Sequence, residues 1–83
     1  RCHAVELAES GITVNCICPG PFETPMTAAL VTGAAREEFT RRIPMARWGQ
    51  PRELVGAVLY FASEASAFTT GAVLAVDGGW TAQ

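Results

Sequence analysis

The residues best suited to chemistry lie in a stiff turn that follows an apolar strand pattern. Pro19 has no N–H to continue a strand ladder, and Gly20 allows the backbone to approach a ligand closely. Thr24 followed by Pro25 is typical of a helix N-cap and first helical residue, where N–H groups attract anions and carbonyl oxygens. Ligands of open α/β sheets bind beyond the carboxyl ends of the strands. The turn is therefore predicted to contact a ligand, or else to be only a rigid loop with an ordinary helix cap.

Two strands and one helix are predicted to position this turn. Residues 12–18 are rich in β-branched side chains, and residues 72–76 are apolar at every position, as in parallel sheets covered by helices. Between them, residues 51–63 form a helical pattern with Pro51 at its first position. Strand, helix and strand in this order predict a right-handed crossover and a parallel pair. The helix stripe predicted to pack on the sheet consists of Leu54, Val55, Val58, Leu59 and Ala62.

Three further helical segments are expected. Residues 1–10 have the pattern of a helix that stops at Gly11, and the absence of a start signal predicts that this helix continues upstream. Residues 26–31 and 35–42 are predicted as short helices of a segment that could close over a ligand. The apolar side chains of this segment would face the ligand or pack the segment against the body, and they are Met26, Leu30, Phe39 and Ile43.

Composition excludes several classes of function. The chain has 83 residues, of which 49% are apolar and 17% are charged, which indicates a globular, buried segment. The net charge is -2, and the arginines are interleaved with glutamates, so no nucleic-acid partner is expected. No apolar run approaches the ~20 residues that cross a bilayer, and no targeting core is apparent, so no membrane association is expected.

The three cysteines favour packing over metal binding. Cys16 and Cys18 lie two apart on the predicted strand, so they share a face and are predicted to be small buried hydrophobes. A lone C-x-C with a single distant histidine does not predict a metal site. A reducing cytoplasm is the expected location.

Several polar or aromatic residues are predicted to be structural. Asn15 lies within the predicted strand and must find hydrogen-bond partners there. Asp77 is expected to cap a turn or pair with a neighbour, and Trp80 to pack as a large apolar group. His3 lies on a polar helix face, and Tyr60 lies inside the crossover helix as a core or interface residue.

Five groups of residues follow one another along the chain: Asn15, Pro19-Gly20, Thr24, Arg47-Trp48-Gly49-Gln50-Pro51 and Val76-Asp77-Gly78-Gly79-Trp80. This order resembles the C-terminal portion of the short-chain dehydrogenase/reductase family, particularly 3-oxoacyl reductases and gluconate-type or polyol dehydrogenases. The resemblance implies an α/β fold, a Rossmann-like doubly wound parallel sheet. Residues 1–83 would be the C-terminal part of that single domain and would supply its last two strands, the crossover helix and a substrate lid.

The same resemblance implies roles for individual residues. Pro19, Gly20 and Thr24, with the backbone of Phe22, would contact the nicotinamide end and the diphosphate of NAD or NADP. In that family the segment that contains Met26 and Leu30 covers the substrate. The family's catalytic tyrosine and lysine, four residues apart, do not occur here, since the chain contains no lysine. No catalytic residue is therefore assigned, and the chain alone is expected to be inactive.

The expected function of the whole protein is hydride transfer between NAD(P) and a small carbonyl or secondary-alcohol substrate. The resemblance also implies a homotetramer or homodimer, with contacts from the crossover helix and the last strand. One alternative is a non-catalytic relative that binds a nucleotide or only oligomerises. Another is an independent small domain without activity.

Overall fold

A computed structural model describes residues 2–83 as a short α/β unit. In chain order the elements are helix α1 (Cys2–Ala8), strand β1 (Cys16–Pro19), helices α2 (Pro25–Leu30), α3 (Gly33–Arg42) and α4 (Val55–Ala62), and strand β2 (Val73–Val76). Short 3-10 turns lie at Pro51–Leu54, Glu64–Ser66 and Trp80–Ala82.

The two strands form a parallel pair, as predicted. Cys16 lies opposite Val73, and Pro19 lies opposite Val76. The Gly20 N–H donates to the carbonyl oxygen of Val76 at 3.0 Å, so the pairing continues one residue beyond β1. With α4 between them in sequence, both strands end at the same edge of the sheet.

Strand β1 starts later than the predicted strand at residues 12–18, so that prediction is wrong at its N-terminal end. The Asn15 side chain donates from Nδ2 to the Thr69 carbonyl oxygen at 3.2 Å, and its Oδ1 accepts the Ala72 N–H at 3.0 Å. The Gly71 N–H still donates to the Val14 carbonyl oxygen at 2.8 Å, but the Asn15 side chain then interrupts the backbone ladder, and regular pairing begins only at Cys16.

The helices largely follow the predictions. Gly11 has φ +77°, the left-handed conformation of a helix stop, and the helix at 51–63 is confirmed as a 3-10 turn that leads into α4. Arg1, the start of the predicted first helix, lies outside the described residues. On α3, the side chain of Glu38 lies 3.1 Å from that of Arg41 and 3.6 Å from that of Arg42, so this helix has a solvated, mixed-charge face. None of the helices within residues 2–83 is both long and apolar enough to span a lipid bilayer.

The predicted apolar stripe of α4 is wrong in its phase. Its half-buried residues are Ala57 and Phe61, preceded by Leu54 in the 3-10 turn. Val58 is 52% exposed and Leu59 is 62% exposed, because nothing else in the described part of the chain covers them.

The two cysteines of β1 are also exposed, which corrects their prediction as buried side chains. Cys16 and Cys18 do share one face of the strand, and their Sγ atoms lie 3.7 Å apart. That face has no cover within residues 2–83.

Of the four residues buried within the described part of the chain, two lie near the turn that follows β1. Ile43 is 1% exposed and Trp48 is 7% exposed, while Ala4 and Ser66 are buried further away. The radius of gyration is 15.9 Å, against roughly 12 Å for a compact chain of this length. The described residues therefore do not close into a compact body around one core.

Candidate functional site

The turn after β1 is held close to the residue that follows β2. A Cβ atom on Gly20 would lie 2.4 Å from the Cβ and 2.7 Å from the Cα of Asp77. Only glycine fits such an approach without a backbone shift. Glycine is thus required at position 20 by contact within the chain, whereas the predicted cause is the close approach of a ligand.

Asp77 caps the turn that follows β2, as predicted. Its Oδ1 accepts the Gly79 N–H at 3.0 Å, and its Oδ2 accepts the N–H and hydroxyl of Thr81 at 3.1 and 2.7 Å. These bonds, the Thr81 hydroxyl first, lower the pKa of the Asp77 carboxyl. The carboxylate is therefore a structural acceptor at the edge where both strands end.

Thr24 is the N-cap of α2, and Pro25 is its first residue, as the sequence predicts. The Thr24 hydroxyl accepts the Thr27 N–H at 3.1 Å, and the Thr27 hydroxyl accepts the Thr24 N–H at 2.8 Å. This reciprocal capping box satisfies N–H groups that a helix start would otherwise leave open.

The segment around Phe22 is held by a single parallel bridge to Gly49. The Gly49 N–H donates to the Pro21 carbonyl oxygen at 2.9 Å, and the Glu23 N–H donates to the Gly49 carbonyl oxygen at 2.8 Å. The Phe22 ring lies over Gly49, where an added Cβ would come within 2.7 Å of Phe22 Cε2. Backbone groups alternate along an extended chain, so the N–H and C=O of Phe22 face away from Gly49.

An ion pair secures the segment that carries Gly49. Arg47 Nη1 and Nη2 lie 2.7 and 2.9 Å from the two carboxylate oxygens of Glu53, and the Gln50 N–H donates to Glu53 Oε1 at 2.9 Å. Hydrogen bonds from Arg47 first, and then from Gln50, lower the pKa of Glu53 from 4.5 to about 2. The Arg47–Glu53 pair thus gives this motif a structural role.

Helix α3 is fixed to the turn by an aromatic cluster. The Phe39 ring lies 5.2 Å from the Trp48 ring and stacks 5.0 Å from the Trp80 ring. The Trp48 indole donates to Thr40 Oγ1 at 2.9 Å. The Arg36 guanidinium lies 4.5 Å from the centre of the Trp48 ring. Arg36 also forms an ion pair with Glu23 of the turn.

The four apolar residues predicted for the underside of the lid divide into two pairs. Phe39 and Ile43 pack α3 against the body, which agrees with the packing alternative. Met26 is 70% exposed and Leu30 is 76% exposed on α2. The structure therefore places the two predicted substrate residues outside the packed part of the lid.

The residues of the turn and the aromatic cluster line one open, mainly apolar pocket of about 740 Å³. It brings together the four predicted cofactor residues Pro19, Gly20, Phe22 and Thr24, but neither Met26 nor Leu30. Phe39, predicted to face a ligand or to pack the lid, also lines this pocket, as does Pro21 of the turn. Sequence reasoning missed the other lining residues, which are Thr27, Val31, Trp48, Leu54 and Trp80.

One signal for the missed residues was present in the sequence. Thr27 and Val31 are four residues apart and so share a helix face, one position away from the face of Met26 and Leu30. The aromatic residues of the pocket come from distant parts of the chain and could not be grouped by spacing.

A smaller crevice of about 160 Å³ lies beside Phe22, next to Arg47 and Asp77. Pockets that hold small molecules usually have volumes of roughly 300–1,000 Å³, so the larger pocket is the better candidate site.

The larger pocket can bind and orient a ligand, but it offers no proton-transfer group. None of its lining residues has a titratable side chain. Tyr60, whose hydroxyl contacts Thr69 Oγ1 at 2.8 Å, and His3 on α1 are not among the lining residues. Among residues 2–83, no three His, Cys, Asp or Glu side chains converge to hold a metal ion.

The chain is similar to known proteins over nearly its whole length. The family model described as enoyl-(acyl carrier protein) reductase matches residues 1–81. The 5-keto-D-gluconate 5-reductase of Escherichia coli is 51% identical over 80 residues, which cover 95% of this chain and 32% of that protein. The 3-oxoacyl-[acyl-carrier-protein] reductase of Thermotoga maritima is 46% identical over 76 residues, which cover 92% of this chain and 30% of that protein.

A solved structure has the same fold over the whole segment. It is that of a candidate 2-deoxy-D-gluconate 3-dehydrogenase from Agrobacterium tumefaciens with bound NADP, with a TM-score of 0.90 and 42% identity. The match covers 99% of this chain and 34% of that one, so the chain spans about a third of the length of the proteins it matches. The predicted Rossmann-like fold class is confirmed, and the chain belongs to the short-chain dehydrogenase/reductase family.

Proposed function

We propose that residues 1–83 are the C-terminal part of one Rossmann-like domain in an NAD(P)-dependent oxidoreductase. The complete protein would transfer a hydride between NAD or NADP and a carbonyl or secondary alcohol of a small molecule. This segment would form the wall beside the nicotinamide, part of the substrate lid and part of an oligomer interface. The observation that carries the proposal is the apolar pocket at the carboxyl end of β1, with Phe22 and Thr24 on its rim.

The polar groups of this pocket suit a nicotinamide carboxamide. The carboxamide has one acceptor, its carbonyl oxygen, and one donor group, its NH₂. Among residues 2–83, the Phe22 N–H donates a hydrogen bond to no acceptor. The Thr24 hydroxyl lies on the same turn. Phe22 can therefore donate to the carboxamide oxygen, while Thr24 accepts from its nitrogen. The apolar lining would exclude water from the nicotinamide ring.

The pocket supplies surface and orientation, whereas proton transfer needs a group from outside this segment. The bound cofactor supplies or accepts the hydride. In the complete domain, the tyrosine and lysine implied by the family resemblance would lie upstream of Arg1 and would act as the acid/base pair. The chain by itself is expected to have no activity.

For the substrate, we favour sugar acids or polyols over acyl thioesters. Support comes from the 51% identity to 5-keto-D-gluconate 5-reductase, compared with 46% to the 3-oxoacyl reductase. The Asp77-Gly78-Gly79-Trp80 ending favours the same class.

The exposed apolar side chains of α4 and β2 support the proposed assembly. Val58, Leu59 and Val73 are each more than half exposed within residues 2–83. Exposed apolar side chains that gather into large patches mark contact surfaces between proteins or domains. The remaining elements of the domain and a second subunit, in a homodimer or homotetramer, would cover it. We place the complete protein in the cytoplasm.

The proposal is tested by Thr24→Val in the complete protein. Loss of one hydrogen bond should weaken NADH or NADPH binding by about 1 kcal/mol, or about fivefold in Kd. Fluorescence titration of the reduced cofactor measures this Kd. The matched control is Thr32→Val, which makes the same change at the N-cap of α3, where the hydroxyl forms no capping bond. An equal Kd for wild type and Thr24→Val would contradict the assignment.

The alternative hypothesis, a non-catalytic relative of the family, predicts cofactor binding without turnover. A complete protein that binds the cofactor but lacks an upstream tyrosine and lysine four residues apart would support that hypothesis. The pocket would then hold a nucleotide without turnover, and cofactor absorbance would stay constant with every carbonyl and alcohol substrate tried.

A further inference from the structure

The hydroxyl of Thr27 lies at the centre of the turn that forms the proposed cofactor wall. Its Oγ1 is 2.8 Å from the Thr24 backbone nitrogen and 3.1 Å from the Thr24 hydroxyl oxygen. It is also 3.0 Å from the carbonyl oxygens of both Phe22 and Thr24. This one side chain thus contacts four polar groups of Phe22 and Thr24, including the Thr24 hydroxyl that is proposed to bind the ligand.

The neighbouring bonds decide where the single hydroxyl proton of Thr27 goes. The Thr24 carbonyl oxygen already accepts the Ala28 N–H at 2.9 Å within the helix. Within residues 2–83, no backbone N–H group outside the helices and strands donates a hydrogen bond to the Phe22 carbonyl oxygen. The Thr27 proton therefore goes to Phe22, because that bond satisfies the group with fewer partners.

This assignment fixes the direction of the remaining contact. Thr27 Oγ1 has two lone pairs, of which one accepts the Thr24 N–H. Since its proton is used on Phe22, the contact between the two hydroxyls must use the Thr24 proton, with Thr27 as acceptor. Thr24 Oγ1 also accepts the Thr27 N–H at 3.1 Å. It keeps one free lone pair and has no proton to offer a ligand.

We infer that Thr27 is a positioning residue that makes the Thr24 hydroxyl a pure hydrogen-bond acceptor toward the bound group. The inference rests on the proposed function. Through Thr24, Thr27 selects a ligand head group that donates an N–H, as a carboxamide does, over a head group of the same shape that cannot donate. With valine at position 27, the Thr24 hydroxyl turns freely and serves donors and acceptors alike.

The test compares two cofactors on the complete protein. One is the natural nicotinamide cofactor, and the other is its acetylpyridine analogue, in which a methyl ketone replaces the carboxamide and no N–H remains. We expect wild type to bind the carboxamide form about fivefold more tightly. Thr27→Val should reduce this preference to less than about twofold, whereas Thr27→Ser keeps the hydroxyl and the preference. Thr32→Val, in the same lid, should behave as wild type.

Thr24→Val should also lose the preference for the carboxamide cofactor. The double variant with valine at positions 24 and 27 should lose no more of this preference than either single variant. This non-additivity distinguishes action through Thr24 from an independent effect. If Thr27→Val does not fold, as judged by circular dichroism, Thr27→Cys replaces it, since a thiol of similar size is a weak hydrogen-bonding group.

Two results would contradict the inference about Thr27 without contradicting the proposed function. One is a Thr27→Val protein that binds both cofactors more weakly by the same factor, which marks a purely structural residue. The other is an unchanged preference. Failure of the wild-type protein to bind either cofactor would overturn the proposed function itself and the inference with it.

Discussion

Two regions of the molecule are both rich in apolar side chains, but one region buries them and the other leaves them exposed. The base of the proposed lid, or lid base, is formed by residues 33–49 together with Trp80, and it buries Ile43 and Trp48 almost completely. The sheet face, formed by β1, β2 and α4, leaves Val58 and Leu59 more than half exposed. The lid base completes its contacts within this chain, whereas the sheet face does not.

The difference follows from whether the partners of each region lie within this segment. In the lid base, the Trp48 ring contacts Phe39 and its indole donates to Thr40. Trp80 stacks on Phe39 from a distant part of the same chain. The sheet face is a two-stranded sheet with one crossover helix, and a pair of strands alone is marginal in water. The proposed site lies where the two regions meet, so its turn is well supported on the lid side only.

The largest expected effect tests the lid base. In the complete protein, Trp48→Ala should lower the free energy of unfolding by about 3–5 kcal/mol, because it removes a buried indole from contact with Phe39 and Arg36. Urea unfolding followed by circular dichroism measures the change. Trp48→Phe keeps a ring and should cost less, mainly the bond to Thr40. A loss of under about 1 kcal/mol for the alanine variant would remove the contrast between the two regions.

The junction of the two regions is tested by Gly20→Ala. The new Cβ would overlap the Cβ and Cα of Asp77, and a backbone atom cannot turn away, so the ends of β1 and β2 must separate. We expect a loss of about 1–3 kcal/mol in the free energy of unfolding, together with weaker cofactor binding.

The matched control for Gly20→Ala is Gly56→Ala on α4, where an added Cβ meets no atom within 4 Å. This change should raise stability by about 0.5–1 kcal/mol through helix propensity. A loss at Gly56 in the complete protein would reveal an element packed against that side of α4. Equal effects at the two glycines would contradict the crowding at Gly20.

The smallest predicted effect is a change in stability that appears only at acidic pH. The lowered pKa of Glu53 means that its pair with Arg47 stabilises the fold fully above about pH 4.5 and is lost as the pH falls toward about 2. Glu53→Gln should therefore make the free energy of unfolding depend less on pH between these two values. Urea unfolding at several pH values measures the slope. Arg47→Met should flatten the same interval, and unchanged curves for both variants would contradict the role of the pair.

Local features of the site were predictable, and features set by distant partners were not. The Thr24-Pro25 cap and the Asp77 turn depend on neighbours within four residues, so sequence spacing identified both. The start of β1 depends on Asn15, whose side chain binds Thr69, 54 residues away.

The exposed cysteines and the phase of α4 were missed for a related reason. Periodicity indicates which side chains are apolar, but the element that covers them decides which become buried. The direction of α2 depends on Thr27, whose hydroxyl holds the turn and places Met26 outside the pocket.

The contact between Gly20 and Asp77 has a consequence for biosynthesis. These residues touch in space but lie far apart in the sequence. A nascent chain that has emerged only as far as α4 contains every residue of the turn but lacks the strand that supports it. The ribosome must therefore release the polypeptide through Asp77 before this wall can reach its final shape, and chains shortened before that point would expose it unfinished.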